Sequence, residues 1–320
     1  MEATRPLTGG MRPDAAVVPE FAGSDRLRPD GRPTGEFRAQ LRRIDDRRNA
    51  WTVLHTLATP VAIFWAAIAL NHWASWILAY CLMGSVFARF AIMNHEAAHR
   101  LLFCNKRIND LVGQWMFGML GFGSGSDAYR RSHAAHHRDE FGPNEPDFGL
   151  YARYPIAKDS WRRKLTRDAF FVSGYKNFKS FFRSFRSRRT LKYGLRTIAG
   201  QLPVFVPLLL VGRPELWVFL WLMPYMTIWR VFNRLRAVAE HAGLERSDDR
   251  RYTTHHVRQH LVARFWFVPF NTGWHLAHHV DSGVPFRNLP LLHQALVEDG
   301  YVVDGFEYPS YTALWRSLTK

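Results

Sequence analysis

The sequence predicts an all-α integral membrane protein: four transmembrane helices in two hairpins, with nearly all the polar mass on one face. Three observations carry that prediction. First, residues 53–70 and 73–88 hold no charged side chain, and the second run stays apolar past Arg89 to Met93. Each is close to the ~20 residues a helix needs to span a bilayer. Asn71 and His72 leave so short a link that the two runs should form an antiparallel hairpin. Trp65, Trp73 and Trp76 near that link suit an interfacial aromatic belt. Second, another pair of apolar runs, 198–212 and 216–229, is joined by Arg213-Pro214-Glu215. This pair is shorter and carries Pro203, Pro207 and Pro224; its second member can lengthen if Arg230 snorkels to the headgroups. Third, the two links hold one basic residue, Arg213, whereas 151–196 holds fourteen Lys and Arg against two Asp. The positive-inside rule then puts the N-terminus, the middle segment and the C-terminal third in the cytoplasm.

Composition agrees. The 320 residues include 43 Lys and Arg against 27 Asp and Glu, a formal charge of +16. That excess excludes an acidic disordered chain and leaves nucleic acid or an anionic membrane surface as partner. No nucleic-acid motif is present, so the membrane surface is the expectation. Cys81 and Cys104 are too few for a disulfide scaffold or a cysteine zinc finger.

The chain divides into a polar, basic N-terminal segment, 1–50, a main domain, 51–310, and a tail, 311–320. About the first 35 residues read as a disordered tail without the apolar stretch of a cleavable signal peptide. Residues 37–49 read as a short basic surface helix. Residues 111–126 are uncharged but rich in glycine, and are expected to be re-entrant or interfacial. In 161–192, Phe171, Tyr175, Phe178, Phe182 and Phe185 recur in steps of four and three among Lys176, Lys179, Arg183 and Arg186. That pattern predicts an amphipathic helix lying on anionic lipid.

The chain has 15 histidines, and their spacing is its most informative feature. Three clusters stand out: His95-Glu96-Ala97-Ala98-His99, His133-Ala134-Ala135-His136-His137 and His275-Leu276-Ala277-His278-His279. On a helix, positions i, i+3 and i+4 share a face. Each cluster thus sets imidazoles side by side, as zinc, copper, iron or nickel requires. A His-x-x-His-His pattern arises by chance in about 3% of chains of this histidine content, and a pair of them far more rarely. The helix starting at Trp73 would carry the first cluster beyond the ~30 Å hydrocarbon core. The last apolar helix, continued through Arg236, would bring out His241 on the same side. With His241 the clusters offer nine candidate ligands, too many for one ion and suited to two. Two irons held by imidazoles, with open positions, can use O2 to take hydrogen from an unactivated C–H bond, which acid–base side chains cannot do. A lipid-embedded helix bundle would deliver apolar chains to them.

These boxes, placed between two helix pairs, resemble the membrane fatty acid desaturase family, which includes hydroxylases and ketolases. The resemblance covers roughly residues 50–310. It is supported by Asn94, Asn144-Glu145-Pro146-Asp147, Val284-Pro285 and Asn288-Leu289-Pro290. It implies a four-helix membrane bundle with a cytoplasmic helical cap holding two irons. It also implies that His95, His99, His133, His136, His137, His275, His278 and His279 are ligands, with His241 as the additional one. The implied activity uses O2 to oxidise a fatty acyl chain or related lipid, by default desaturating it. One departure matters: some animal relatives hold a water on one iron through an Asn where this chain has Ala237. Either Asn233, Asn271 or a plain water substitutes, or one iron is less coordinated. No His-Pro-Gly-Gly cytochrome signature is present, so an external ferredoxin, rubredoxin or cytochrome b5 is the implied electron donor.

Other readings stay open. His95-Glu96-x-x-His99 is also the motif of a zinc protease with Glu96 as general base. A metal transporter would need its ligands inside the bilayer. Glu96, Asp139, Glu140, Asp147, Glu240 and Asp281 could orient imidazoles from outside the ligand set. His255, His256 and His260 have a spacing that could bind a metal, although a solvated face is the plainer reading, and His293 could support the third box. His55 reads as a helix histidine and His72 as an outer-surface one. Arg89 and Arg230 read as headgroup markers, and Tyr129, Trp274 and 121–125 as candidates for lining an acyl tunnel. The preference for Arg over Lys suggests a bacterial plasma membrane.

Overall fold

Asp45 accepts the amide of Arg48 and starts the helix Asp46–Leu70. This helix begins seven residues before the expected span. In the computed structural model, which describes residues 7–123 and 127–320, it is followed after Asn71 and His72 by the helix Trp73–Ala98. The link holds because Asn71 takes a left-handed conformation. His72 Nδ1 then accepts from the Ala74 amide, and Ser75 Oγ from the His72 amide. The two helices pack on each other and carry exposed apolar side chains such as Val61, Trp65 and Ile77. A face of that composition is at home in hydrocarbon.

The described residues are helical, with three isolated β-bridges. They fall into two compact units: 45–129 with 163–233, and 1–44 with 130–162 and 234–320.

In the first unit the Trp73–Ala98 helix buries Phe87 and Phe90 in an aromatic core with Phe117, Trp221 and Tyr225. Gln201 ties this core to the backbone: it accepts from Trp221 Nε1 at 2.9 Å and donates to the Met119 carbonyl at 2.8 Å. The glycine-rich segment is helical from Lys106 to Leu120, with a π-helical stretch Asp110–Phe117, and runs back along the helix before it. Asn109 donates to the Ala97 carbonyl, Gln114 to Asn94, and the Phe117 ring packs at a tilt against Phe90. Residues 124–126 of the segment expected to be re-entrant or interfacial lie outside the described residues. Gly113 permits the fold-back, because a Cβ there would meet the Cβ of Ala97 at 1.8 Å.

The expected second hairpin is found only in part, and the basic segment is divided. Among the described residues only two single helices are long and apolar enough to cross a membrane: the one ending at Leu70, mean hydropathy 1.9, and Trp73–Ala98, mean hydropathy 1.7. Arg188–Ala199 and Leu202–Leu210 would make a third only as one element bent by 41°. The expected fourth is divided into Trp217–Leu222, which is π-wound, Met223–Met226 and Ile228–His241. Pro203 and Pro224 sit in the first turn of new helical stretches, and the chain leaves helical geometry again at Thr227. The basic segment, expected as one amphipathic helix over 161–192, is likewise three helices: Lys158–Ala169, Val172–Ser184 and Arg188–Ala199. Phe171 breaks the first junction with a left-handed φ of 63°, and Ser187 caps the last helix through the Arg189 amide.

In the second unit, the segment expected as a disordered tail is packed from Leu7 onward. Leu27 is buried, Arg26 forms a bidentate pair with Asp299, and Arg38 bonds Asp281 at 2.8 Å. These partners lie some 240 to 270 residues away, so local composition gives no sign of them. Of the surface helix expected over 37–49, Gly35–Leu41 forms, and residues from Asp46 on belong to the spanning helix.

Overpacking a helix contact costs about 1–3 kcal/mol. Gly113→Val should therefore lower the unfolding midpoint of the detergent-solubilised protein, followed by tryptophan fluorescence. An unchanged midpoint would show that the fold-back tolerates separation from the Ala97 helix.

Candidate metal centre

The second histidine cluster lies on the helix Ala128–Arg138, His241 ends Ile228–His241, and the third cluster opens the helix His275–Val280. The i, i+3, i+4 spacing puts each set on one face, and the second unit collects seven imidazoles. His136, His241, His275, His278 and His279 are buried.

Three of these imidazoles have a proton position fixed by their surroundings. His241 Nδ1 lies 2.8 Å from the Thr253 carbonyl, which can only accept, so Nδ1 carries the hydrogen. His136 Nδ1 lies 2.8 Å from Glu145 Oε1, and the same oxygen accepts the Asp147 amide. His279 Nδ1 bonds Glu140 Oε1, which also accepts from Arg250 at 2.8 Å. With Nδ1 donating in all three, Nε2 is a lone pair in the neutral form of each ring. His279 Nε2 is buried with no hydrogen-bond partner. His136, His241 and His279 offer ligand nitrogens within 4.8 Å of one another. Two nitrogens at ~2.1 Å from one ion can be at most about 4.2 Å apart, so only a small closure separates the found spacing from a metal's.

The remaining rings surround this trio. His275 Nε2 lies 3.1 Å from His241 Nε2, and His275 Nδ1 is 3.4 Å from Glu240. His137 Nε2 lies 3.1 Å from both His133 Nε2 and His278 Nε2. Burial, with nearby imidazoles, holds His241, His275 and His279 well below the usual histidine range. They therefore stay neutral, as ligands must. Burial alone would lower His136, but its bond to Glu145 and the charges of Glu145, Glu140 and Asp147 raise it. The residues thus fit a metal ion. In the first unit, His95 and His99 stand on adjoining turns with ring centroids 4.9 Å apart. His95 and Glu96 are buried.

Of the carboxylates read as possible supports, Glu140 and Glu240 touch box histidines. Asp147 stands in one group with His136 and Glu145. Asp139 instead pairs with Arg246, and Asp281 with Arg38. Glu145, Arg250 and Thr253 were missed. Glu145 lies in a motif already noted after the second box; a backbone carbonyl such as that of Thr253 leaves no mark in the sequence. Asn271 Oδ1 accepts from Arg264. The 255–260 group separates: His255 Nε2 bonds the Ala242 carbonyl at 2.8 Å and His260 Nε2 the Pro309 carbonyl at 2.9 Å. His293 stacks on His256. Of the tunnel candidates, Tyr129 is exposed and Trp274 lies beside Arg264 and His293. Residues 124 and 125 of the 121–125 stretch lie outside the described residues.

A sequence model described as fatty acid desaturase matches residues 71–311, about three quarters of the chain. The chain belongs to the fatty acid desaturase family. It is 23% identical to a chloroplastic omega-6 fatty acid desaturase of Glycine max, over 80% of this chain and 64% of that protein. It is 25% identical to the dihydrorhizobitoxine desaturase of Bradyrhizobium elkanii, over 79% of this chain and 75% of that protein. It is 21% identical to the sn-1 oleoyl-lipid 12-desaturase of Arthrospira platensis, over 80% and 76%. A match to a probable fatty acid desaturase of Sorghum bicolor spans 28% of that protein. The chain thus spans less than two thirds of the Sorghum and Glycine relatives.

Groups that orient a ligating imidazole are typically worth 10–100-fold in metal affinity. Glu145→Ala should therefore weaken metal retention by about that factor in dialysis against a chelator, with Glu145→Gln falling between it and the parent. Equal retention in all three would remove Glu145 from the positioning of His136.

Proposed function

We propose that this desaturase-family member is an integral membrane di-iron oxidase that desaturates a fatty acyl chain or related lipid. The observation that carries this reading is the trio His136, His241 and His279, with Nδ1 of each ring engaged and Nε2 left for a cation. The proposed ligands are His95, His99, His133, His136, His137, His241, His275, His278 and His279. Two irons in such a set would supply, with O2 and electrons from a ferredoxin, rubredoxin or cytochrome b5, the power to remove two hydrogens and leave a C=C bond. The chain's own residues do the rest. Thr253, Glu145 and the Glu140–Arg250 pair fix ring orientation. Burial keeps bulk water from the site, and the apolar helices keep the chain in lipid.

Substrate would be drawn from the membrane. A cavity of about 450 Å³ in the first unit is lined by Phe122, Phe178, Phe181, Tyr193 and Tyr225, with Arg183 among them. Its aromatic side chains suit an acyl chain, and Arg183 suits an anionic headgroup. We place the four expected helical passes, counting the bent and interrupted ones, in a bacterial plasma membrane, with a helical cap and the histidines on the cytoplasmic side.

Elemental mass spectrometry of the detergent-purified protein should find about two irons per chain, and O2-dependent turnover should yield an alkene from candidate lipids. His136→Ala and His278→Ala should lose iron and turnover together. One zinc with no iron would overturn the reading in favour of a protease using Glu96; an alcohol or a 1-alkene would keep the irons and change the reaction. Topology has its own check. A cysteine at Asn71 should react with an impermeant thiol reagent from the periplasmic side, and one at Ser160 should not; the reverse pattern would invert the proposed orientation.

A further inference from the structure

A second group of donors in the second unit plays no part in the proposed di-iron centre. His256 is 4% exposed, and its Nε2 faces a carboxylate, not a backbone carbonyl. That nitrogen lies 3.3 Å from Glu307 Oε1. The other oxygen of Glu307 accepts from Arg258 Nε at 2.9 Å. His293 stacks on His256 with ring centroids 4.8 Å apart, and one ligand atom from each of His256, His293 and Glu307 lies within 4.8 Å of the others.

The plain alternative is a histidine buried beside a carboxylate for structural reasons. The neighbouring histidines show what that looks like here: His255 and His260 each spend a ring nitrogen on a backbone carbonyl. His256 does not; its Nε2 lies beside the Glu307 carboxylate, and the His293 ring stacks on its own.

The donors are also held in place. The Tyr308 amide donates to the His256 carbonyl and the Arg258 amide to the Tyr308 carbonyl, both at 2.9 Å. This pairing fixes 256 and 307 in register. His293 projects from the helix Leu289–Glu298. A cavity of about 370 Å³, lined in part by His256, Glu307 and Arg12, gives an ion a way in.

We propose that His256, His293 and Glu307 form a second metal site, for a divalent transition ion of the zinc type with water as fourth ligand. Two imidazoles and one carboxylate are a recognised zinc set. The ion would pin the 253–258 loop to the Leu289–Glu298 helix. That loop carries Thr253, so the site braces the segment that orients His241.

The test uses the full-length protein loaded with iron, then exposed to excess zinc and desalted. Iron and zinc are counted in the same sample, so failure of the di-iron reading shows in the iron count and failure of this one in the zinc count. The parent should retain about one zinc per chain, and zinc should raise its unfolding midpoint. His293→Ala and Glu307→Gln should keep their iron and lose both the zinc and the midpoint shift. No zinc on the parent, or equal zinc on parent and both variants, would overturn the proposal. Should the variants lose iron as well, zinc-edge X-ray absorption of the parent decides: two imidazoles in the zinc shell support the site, and none overturns it.

Discussion

A buried imidazole must place both of its nitrogens, and the architecture of the second unit answers to that constraint. A carbonyl or carboxylate oxygen can satisfy one nitrogen by accepting its hydrogen. The other is then a bare lone pair, which needs a donor or a cation. At His136, His241 and His279 the first requirement is met by Glu145, Thr253 and Glu140. These three rings gather with other histidines. A protein that needed these rings only for packing would have little reason to collect them.

What was legible in the sequence follows from how local each signal is. The three boxes could be read because i, i+3 and i+4 positions share a helix face whatever the tertiary structure. The first hairpin could be read because an uncharged run needs only its own length to announce a span. The orienting groups were harder. Glu140 follows its box closely, but it bonds His279, which is 139 residues away. Thr253 acts through its backbone, so residue identity carries no information about it.

The misreadings have physical causes of the same kind. Phe171 adopts a left-handed conformation without being glycine, so nothing in the aromatic periodicity of 161–192 warns of the break there. The N-terminal segment looks disordered because it is polar and arginine-rich, yet those arginines find buried or half-buried acids far along the chain. Gly113 is ordinary in a glycine-rich stretch until the helix carrying Ala97 lies against it. Periodicity describes one element at a time, and each of these features depends on two.

The acids near the histidines extend the argument from protons to charge. Burial raises Glu140 and Glu240 above the usual carboxylate range, even though Arg250 and Arg236 partly offset it. Asp147 is raised as well, by burial and then by Glu145 against the opposing pull of His136. Carboxylates placed this close in a low-dielectric interior oppose one another's ionisation unless positive charge lies nearby. The two arginines supply some, each holding its carboxylate with a hydrogen bond or ion pair under 3 Å. Imidazoles held neutral, such as His241, His275 and His279, supply none. Cations held by those imidazoles would balance the excess and favour the ionised carboxylates that orient the rings. Ring orientation and cation binding would then stabilise each other, and losing either a single acid or a single histidine would weaken both.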